Sequence, residues 1–185
     1  MTCLDCHTEP LHGDGTAYDS RWAVAGLPHC TDCHQALPAG STPAHLIPNH
    51  QQVSCQVCHA QPYKNCFTCH SSFDEAGIYH RRPERTEVVI KTGRNTVPGY
   101  PYDVVPLRQN PVDRHSFDYF GENLLPYFDN FPSWKTAAPH NIQRSTDQNR
   151  SCNSCHGNQA LFLSADDLDP GSSQANQQVV LEKIP

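Results

Sequence analysis

Methionine is almost missing from this chain of 185 residues, the single example being Met1. Long apolar runs are missing too: no window approaches the roughly eighteen residues that a membrane-spanning helix needs, so no membrane span is predicted. Hydrophobic residues reach only 37%, and 16 prolines with 10 glycines interrupt any long regular element, which leaves a side-chain core little to draw on. Positive charge is in deficit. With 13 Lys and Arg against 19 Asp and Glu the net charge is -6, which argues against nucleic acid or an anionic membrane surface as partner and suits a cationic one. There is no Gly-rich phosphate loop and no dinucleotide fingerprint, so nucleotide chemistry has no foothold.

Two residue types are in excess, with 10 cysteines and 12 histidines. In "CQVCHAQPYKNCFTCH", residues 55–70, Cys55 and Cys58 are followed at once by His59, and Cys66 and Cys69 by His70. The same C-x-x-C-H word recurs at Cys3, Cys6 and His7, at Cys30, Cys33 and His34, and at Cys152, Cys155 and His156, which uses every cysteine. Finding a histidine by chance after all five pairs has odds of roughly one in a million. Zinc ribbons and disulfide frameworks place no value on that histidine, whereas covalent attachment of c-type haem demands it. The spacing has a mechanical reason. Residues at i, i+3 and i+4 share one face of a helical turn, so two thiols can form thioethers to a porphyrin edge while the next imidazole meets the iron from the same side. Five words predict five haems c, with His7, His34, His59, His70 and His156 as proximal iron ligands. The eleven residues from Cys55 to Cys66 predict that the third and fourth haems form the closest pair.

What fills the other face of each iron separates an electron carrier from an enzyme. Met1 is the one methionine and no cysteine is left over, so second histidines are expected. His12 stands too close to His7 to swing round its own haem and is expected to serve a neighbour. His45 and His50 flank "LIPN" just ahead of the two close words. His115 and His140 give the long haem-free stretch a ligand-bearing role. These five are the expected distal ligands, while His29 and His80 are expected to be surface or supporting residues.

The expected fold is irregular, mostly coil with short helices around a stacked haem core, with a small β-hairpin-containing insert in the middle. Residues 1–70 form a four-haem segment. Residues 71–151 form a haem-free insert holding eleven of the sixteen aromatic residues, in which "TEVVIKTG" alternates like a strand and is expected to pair with "YPYDVVPLR". Residues 152–185 carry the fifth word and a tail, and in "LFLSADDLDP" Ser164 is expected to cap a short helix ended by Pro170. The polar tail from Gly171, with "VVL" its one apolar patch, is expected to fray or to pair with a neighbour. The whole is expected to be one cofactor-built domain.

"SCQVCHAQPYKNCFTCH" and "PHNIQRSTDQNRSCNSCHGNQALFLSADDL" resemble segments of the exported multihaem c-type cytochromes of anaerobic and metal-respiring microbes. The resemblance implies low-potential, mostly bis-histidine haems stacked in near contact. Such relatives include carriers, outer-membrane conduits, filaments and reductases; the expected function here is an electron carrier and not an enzyme, located in the periplasm, on the outer cell surface or outside the cell. Its implied partners are other redox proteins or further copies of the chain, some relatives being filaments. The alternative is a reductase of nitrogen or sulfur oxyanions with one five-coordinate haem, although reductases of the nitrite type often end their catalytic word in lysine and all five words here end in histidine. Haem attachment of this kind takes place outside the cytoplasmic membrane. An exported precursor is therefore expected, with Met1 not the true gene start.

Overall fold

The computed structural model describes residues 15–24, 26–35, 43–61, 71–73, 75–76, 78–81, 89–110, 112, 114 and 118–185. Most of this is turn and irregular backbone, as the proline and glycine content predicts. Three short α-helices coincide with C-x-x-C words: α1 (Cys30–Cys33), α2 (Cys55–His59) and α3 (Cys152–Cys155). A fourth, α4 (Gln174–Gln178), lies in the tail. No described helix is long and apolar enough to cross a membrane.

Strands β1 (Ser71–Phe73) and β2 (Tyr79–Arg81) form an antiparallel pair. The larger sheet contains β3 (Ile90–Arg94), β4 (Val104–Gln109) and β5 (Trp134–Thr136), antiparallel in the order β3-β4-β5. The expected hairpin is therefore present, paired through Thr92 opposite Pro106 and Gly93 opposite Val105, and Trp134 adds a third strand. Between the two hairpin strands, Val97-Pro98-Gly99-Tyr100 turns the chain, with Gly99 at φ 78° and the Tyr100 N–H donating to the Val97 carbonyl at 3.3 Å. Proline then glycine at the two central positions is the chemistry of a type II turn. A proline in a central strand is unusual. Pro106 is tolerated because its carbonyl accepts from the Ala137 N–H at 2.8 Å, so its hydrogen-free nitrogen faces the same side, just where β5 ends.

A small side-chain core stands on this sheet, made by Val105, Leu107, Trp134, Leu163 and Val179. Its presence corrects one expectation: the apolar patch of the tail packs within the chain and neither frays nor waits for a neighbour. Val179 is 3% exposed, its carbonyl accepts from the Arg94 N–H at 2.8 Å, and the Leu181 N–H donates to the Leu163 carbonyl at 3.2 Å. In α4 the buried Asn176 accepts from the Trp134 N–H at 3.1 Å and donates to Ser133 Oγ at 3.0 Å. The packing is close enough to require glycine at position 93, where a Cβ would collide with Leu107 Cδ1 and stand 2.5 Å from the Val179 carbonyl oxygen.

Ser164 stands at the N-cap as expected, but the element is a 3₁₀ turn at Ala165–Asp167 that stops short of Pro170, and the cap is made by Asp167, whose Oδ2 accepts from the Ser164 N–H and hydroxyl at 2.8 and 3.0 Å. The described parts of the three sequence segments are knit together: the Ser54 N–H donates to the Val104 carbonyl at 2.9 Å, and the Leu163 N–H to the Thr92 carbonyl at 2.8 Å.

Candidate functional site

Each described word closes one helical turn. The His34 N–H donates to the Cys30 carbonyl at 3.0 Å and the His156 N–H to the Cys152 carbonyl at 2.8 Å, while His59 is the last residue of α2. That turn puts the two cysteines and the histidine of a word on one side. Helix α2 is seated most deeply: Ser54, Val57 and Ala60 are buried, whereas α1 and α3 bury no residue.

The C-terminal carbonyls of a helix lack intrahelical donors, and at α2 these come from residues 139–149. Gln148 Nε2 donates to the carbonyls of Val57 (3.2 Å) and Ala60 (2.6 Å), and Thr146 Oγ1 donates to that of Cys58 (2.5 Å). The Gln143 N–H donates to the His59 carbonyl at 2.8 Å, and the Gln61 N–H to the Asn141 carbonyl at 2.9 Å. The carboxamide oxygen of Gln148 accepts from Gln61 Nε2 at 3.3 Å, so both ends of that side chain are used. This clamp was not foreseen, because isolated Gln and Thr residues carry no periodic signal. The only sequence pointer was the quoted stretch beginning "PHNIQRSTDQNR".

The clamp also orients the imidazole. His59 Nδ1 lies 3.0 Å from the Gln143 carbonyl oxygen. A carbonyl only accepts, so Nδ1 carries the proton and Nε2 keeps its lone pair for a metal. His50 is fixed in the same way, its Nδ1 3.0 Å from the Ala44 carbonyl oxygen.

Two histidines of the expected distal set face two proximal ones. The rings of His45 and His59 have centroids 5.9 Å apart and planes inclined by 36°, and those of His50 and His156 have centroids 5.9 Å apart and planes inclined by 22°. A metal bonded to one nitrogen of each ring at about 2 Å would hold ring centres about 6 Å apart. Both pairs have about that separation between ring centres. His45 and His50 reach these places on one strap of two 3₁₀ turns, Pro43–Leu46 and Pro48–Gln52, with proline at the head of each. A porphyrin supplies four ligands itself, so two imidazoles complete the set; among the described residues no group of three or more His, Cys, Asp or Glu is gathered for a metal ion.

The words also meet through their thiols. Cys30 and Cys55 stand close enough to perturb one another, which raises Cys30 well above the thiol range and lowers Cys55 to about 6, while Tyr102 Oη lies 3.9 Å from Cys55 Sγ. Burial pushes Cys58 up to about 11, with the nearby Cys155 adding to the rise, and burial raises Cys155 as well. Cys30, Cys33, Cys55, Cys58, Cys152 and Cys155 are all free of disulfides. Aromatic residues brace this meeting point: Trp22 stacks on Tyr100 with centroids 3.6 Å apart, and Tyr100 meets Tyr102 edge to face at 5.2 Å.

Of the remaining candidates, His140 is exposed beside the buried Pro139, and His34 is exposed at the end of α1 with no histidine ring opposite it among the described residues. His29 sits at the N-cap of α1, its backbone N–H donating to Asp32 Oδ2 at 2.8 Å. His80 belongs to β2. Cys3, Cys6, His7, His12, Cys66, Cys69, His70 and His115 lie outside the described residues, and with them the expected contact of the third and fourth haems. No protein-family model, curated protein or solved structure matches the chain.

Proposed function

We propose that the chain is an extracytoplasmic electron-transfer protein carrying five covalently attached haems c through its C-x-x-C-H words. One observation carries this reading: each of two word histidines, His59 and His156, faces a histidine from outside the words at the separation that an iron between them requires. Haem c, when bound there, would supply one-electron exchange between ferric and ferrous iron. The residues of the chain would do the rest. Cys55, Cys58, Cys152 and Cys155 would fix its position, and His45, His59, His50 and His156 would hold it. The carbonyls of Gln143 and Ala44 hold the tautomers of His59 and His50 and raise the basicity of the liganding nitrogen, which favours the ferric form and a low potential. The net charge of -6 suits a cationic redox partner, and further copies of the chain are the other candidate.

The test is production in a host that attaches haem c outside its cytoplasm. A pyridine haemochrome assay should give five haems per chain, and electron paramagnetic resonance should show only low-spin iron. A chain without covalent haem overturns the proposal. A stoichiometric high-spin signal from one haem in five would replace the carrier with the reductase alternative.

A further inference from the structure

We infer that the strap at residues 43–52 ligates two different irons, His45 that of the third word and His50 that of the fifth, so that haems far apart along the chain are neighbours in space. The inference rests on the haem-carrying function proposed above and goes beyond it, because C-x-x-C-H words give no order in space. Three observations carry it. His45 faces His59 of α2, and His50 faces His156 at the end of α3, each at 5.9 Å. Both leave one short strap whose 3₁₀ turns advance by only about 2 Å per residue, so the two sites are about 10 Å apart along it. The strap is held rigid across the gap, since His50 Nδ1 bonds back to the Ala44 carbonyl at 3.0 Å and the Val53 N–H to the His50 carbonyl at 3.0 Å.

Two sets of variants of the full haem-loaded chain test the assignment. Removing attachment at the third word with Cys55→Ser and Cys58→Ser should make His45→Ala silent, while His50→Ala still converts one haem to high spin. Removing it at the fifth word with Cys152→Ser and Cys155→Ser should reverse the two responses. A His45→Ala change that still converts a haem when the third is absent overturns the assignment. If a deletion background fails to fold, His45→Met and His50→Met in the five-haem chain remain informative. Methionine ligation raises a potential, so the double variant should raise two midpoints in a redox titration. One raised midpoint, or none, overturns the two-iron strap. The haem content of each variant is assayed separately, so loss of haem attachment to the unaltered chain would count against the proposed function and not against the strap.

Discussion

The sheet and the haem words are held by opposite means. Around β4, Val105, Leu107, Trp134, Leu163 and Val179 exclude water with ordinary apolar side chains. Around the words the chain buries little of its own, α1 and α3 nothing at all, and α2 is seated by hydrogen bonds from Gln143, Thr146 and Gln148. Apolar burial is non-directional and needs only volume, while hydrogen bonds fix orientation at little net gain. The sheet supplies apolar burial. The polar clamp supplies orientation.

This contrast can be broken most forcefully at the sheet. Leu107→Ala should cost about 2–5 kcal/mol by denaturant unfolding, and by the same amount whether or not haem is attached. A cost that vanishes on haem attachment would mean that porphyrins, and not β4, hold the fold. At the clamp, Gln148→Leu leaves the carbonyls of Val57 and Ala60 without their donor and should cost about 1–3 kcal/mol. Its distinguishing mark is a shift in the midpoint potential of one haem, which Leu107→Ala should not produce.

Replacing the clamp hydroxyl alone, Thr146→Val, removes one donor from the Cys58 carbonyl and should cost about 1 kcal/mol. The smallest effect belongs to the ion pair of Lys91 and Asp167, where Lys91→Met should cost about 0.2–1 kcal/mol, less at high salt. Partial burial pushes the Asp167 carboxyl up, but hydrogen bonds from Lys91 and Ser164 outweigh it and leave the group below its ordinary value. Its contribution is present above the unfolded carboxylate value of about 3.9 and is lost as pH falls through the lower folded value. Stability of the Lys91→Met variant should therefore fall less steeply in acid.

What was legible in the sequence were features written in neighbouring residues. The C-x-x-C-H words gave helical turns, "TEVVIKTG" and "YPYDVVPLR" gave a hairpin, and Ser164 marked the start of a turn, because each needs only local spacing. The partnership of His45 and His50 with particular words was not legible, since it depends on how distant segments meet. The tail misled for a related reason. "VVL" is too short to announce a core, and its partners Gly93, Leu107 and Leu163 lie in other elements. Trp134 was counted among the aromatic residues of the insert, yet nothing around it signalled a third strand.

The clamp on α2 makes time as well as space part of the site. Cys55, Cys58 and His59 leave the ribosome well before residues 139–149 exist, so the word is first made without its clamp. Only after the chain has grown past Asn149 can the carbonyls of Val57, Cys58, His59 and Ala60 find their donors and the His59 ring settle. A chain interrupted before Pro139 would carry an intact third word with nothing to aim its ligand. The distant clamp thus acts as a test of completeness that no single word contains.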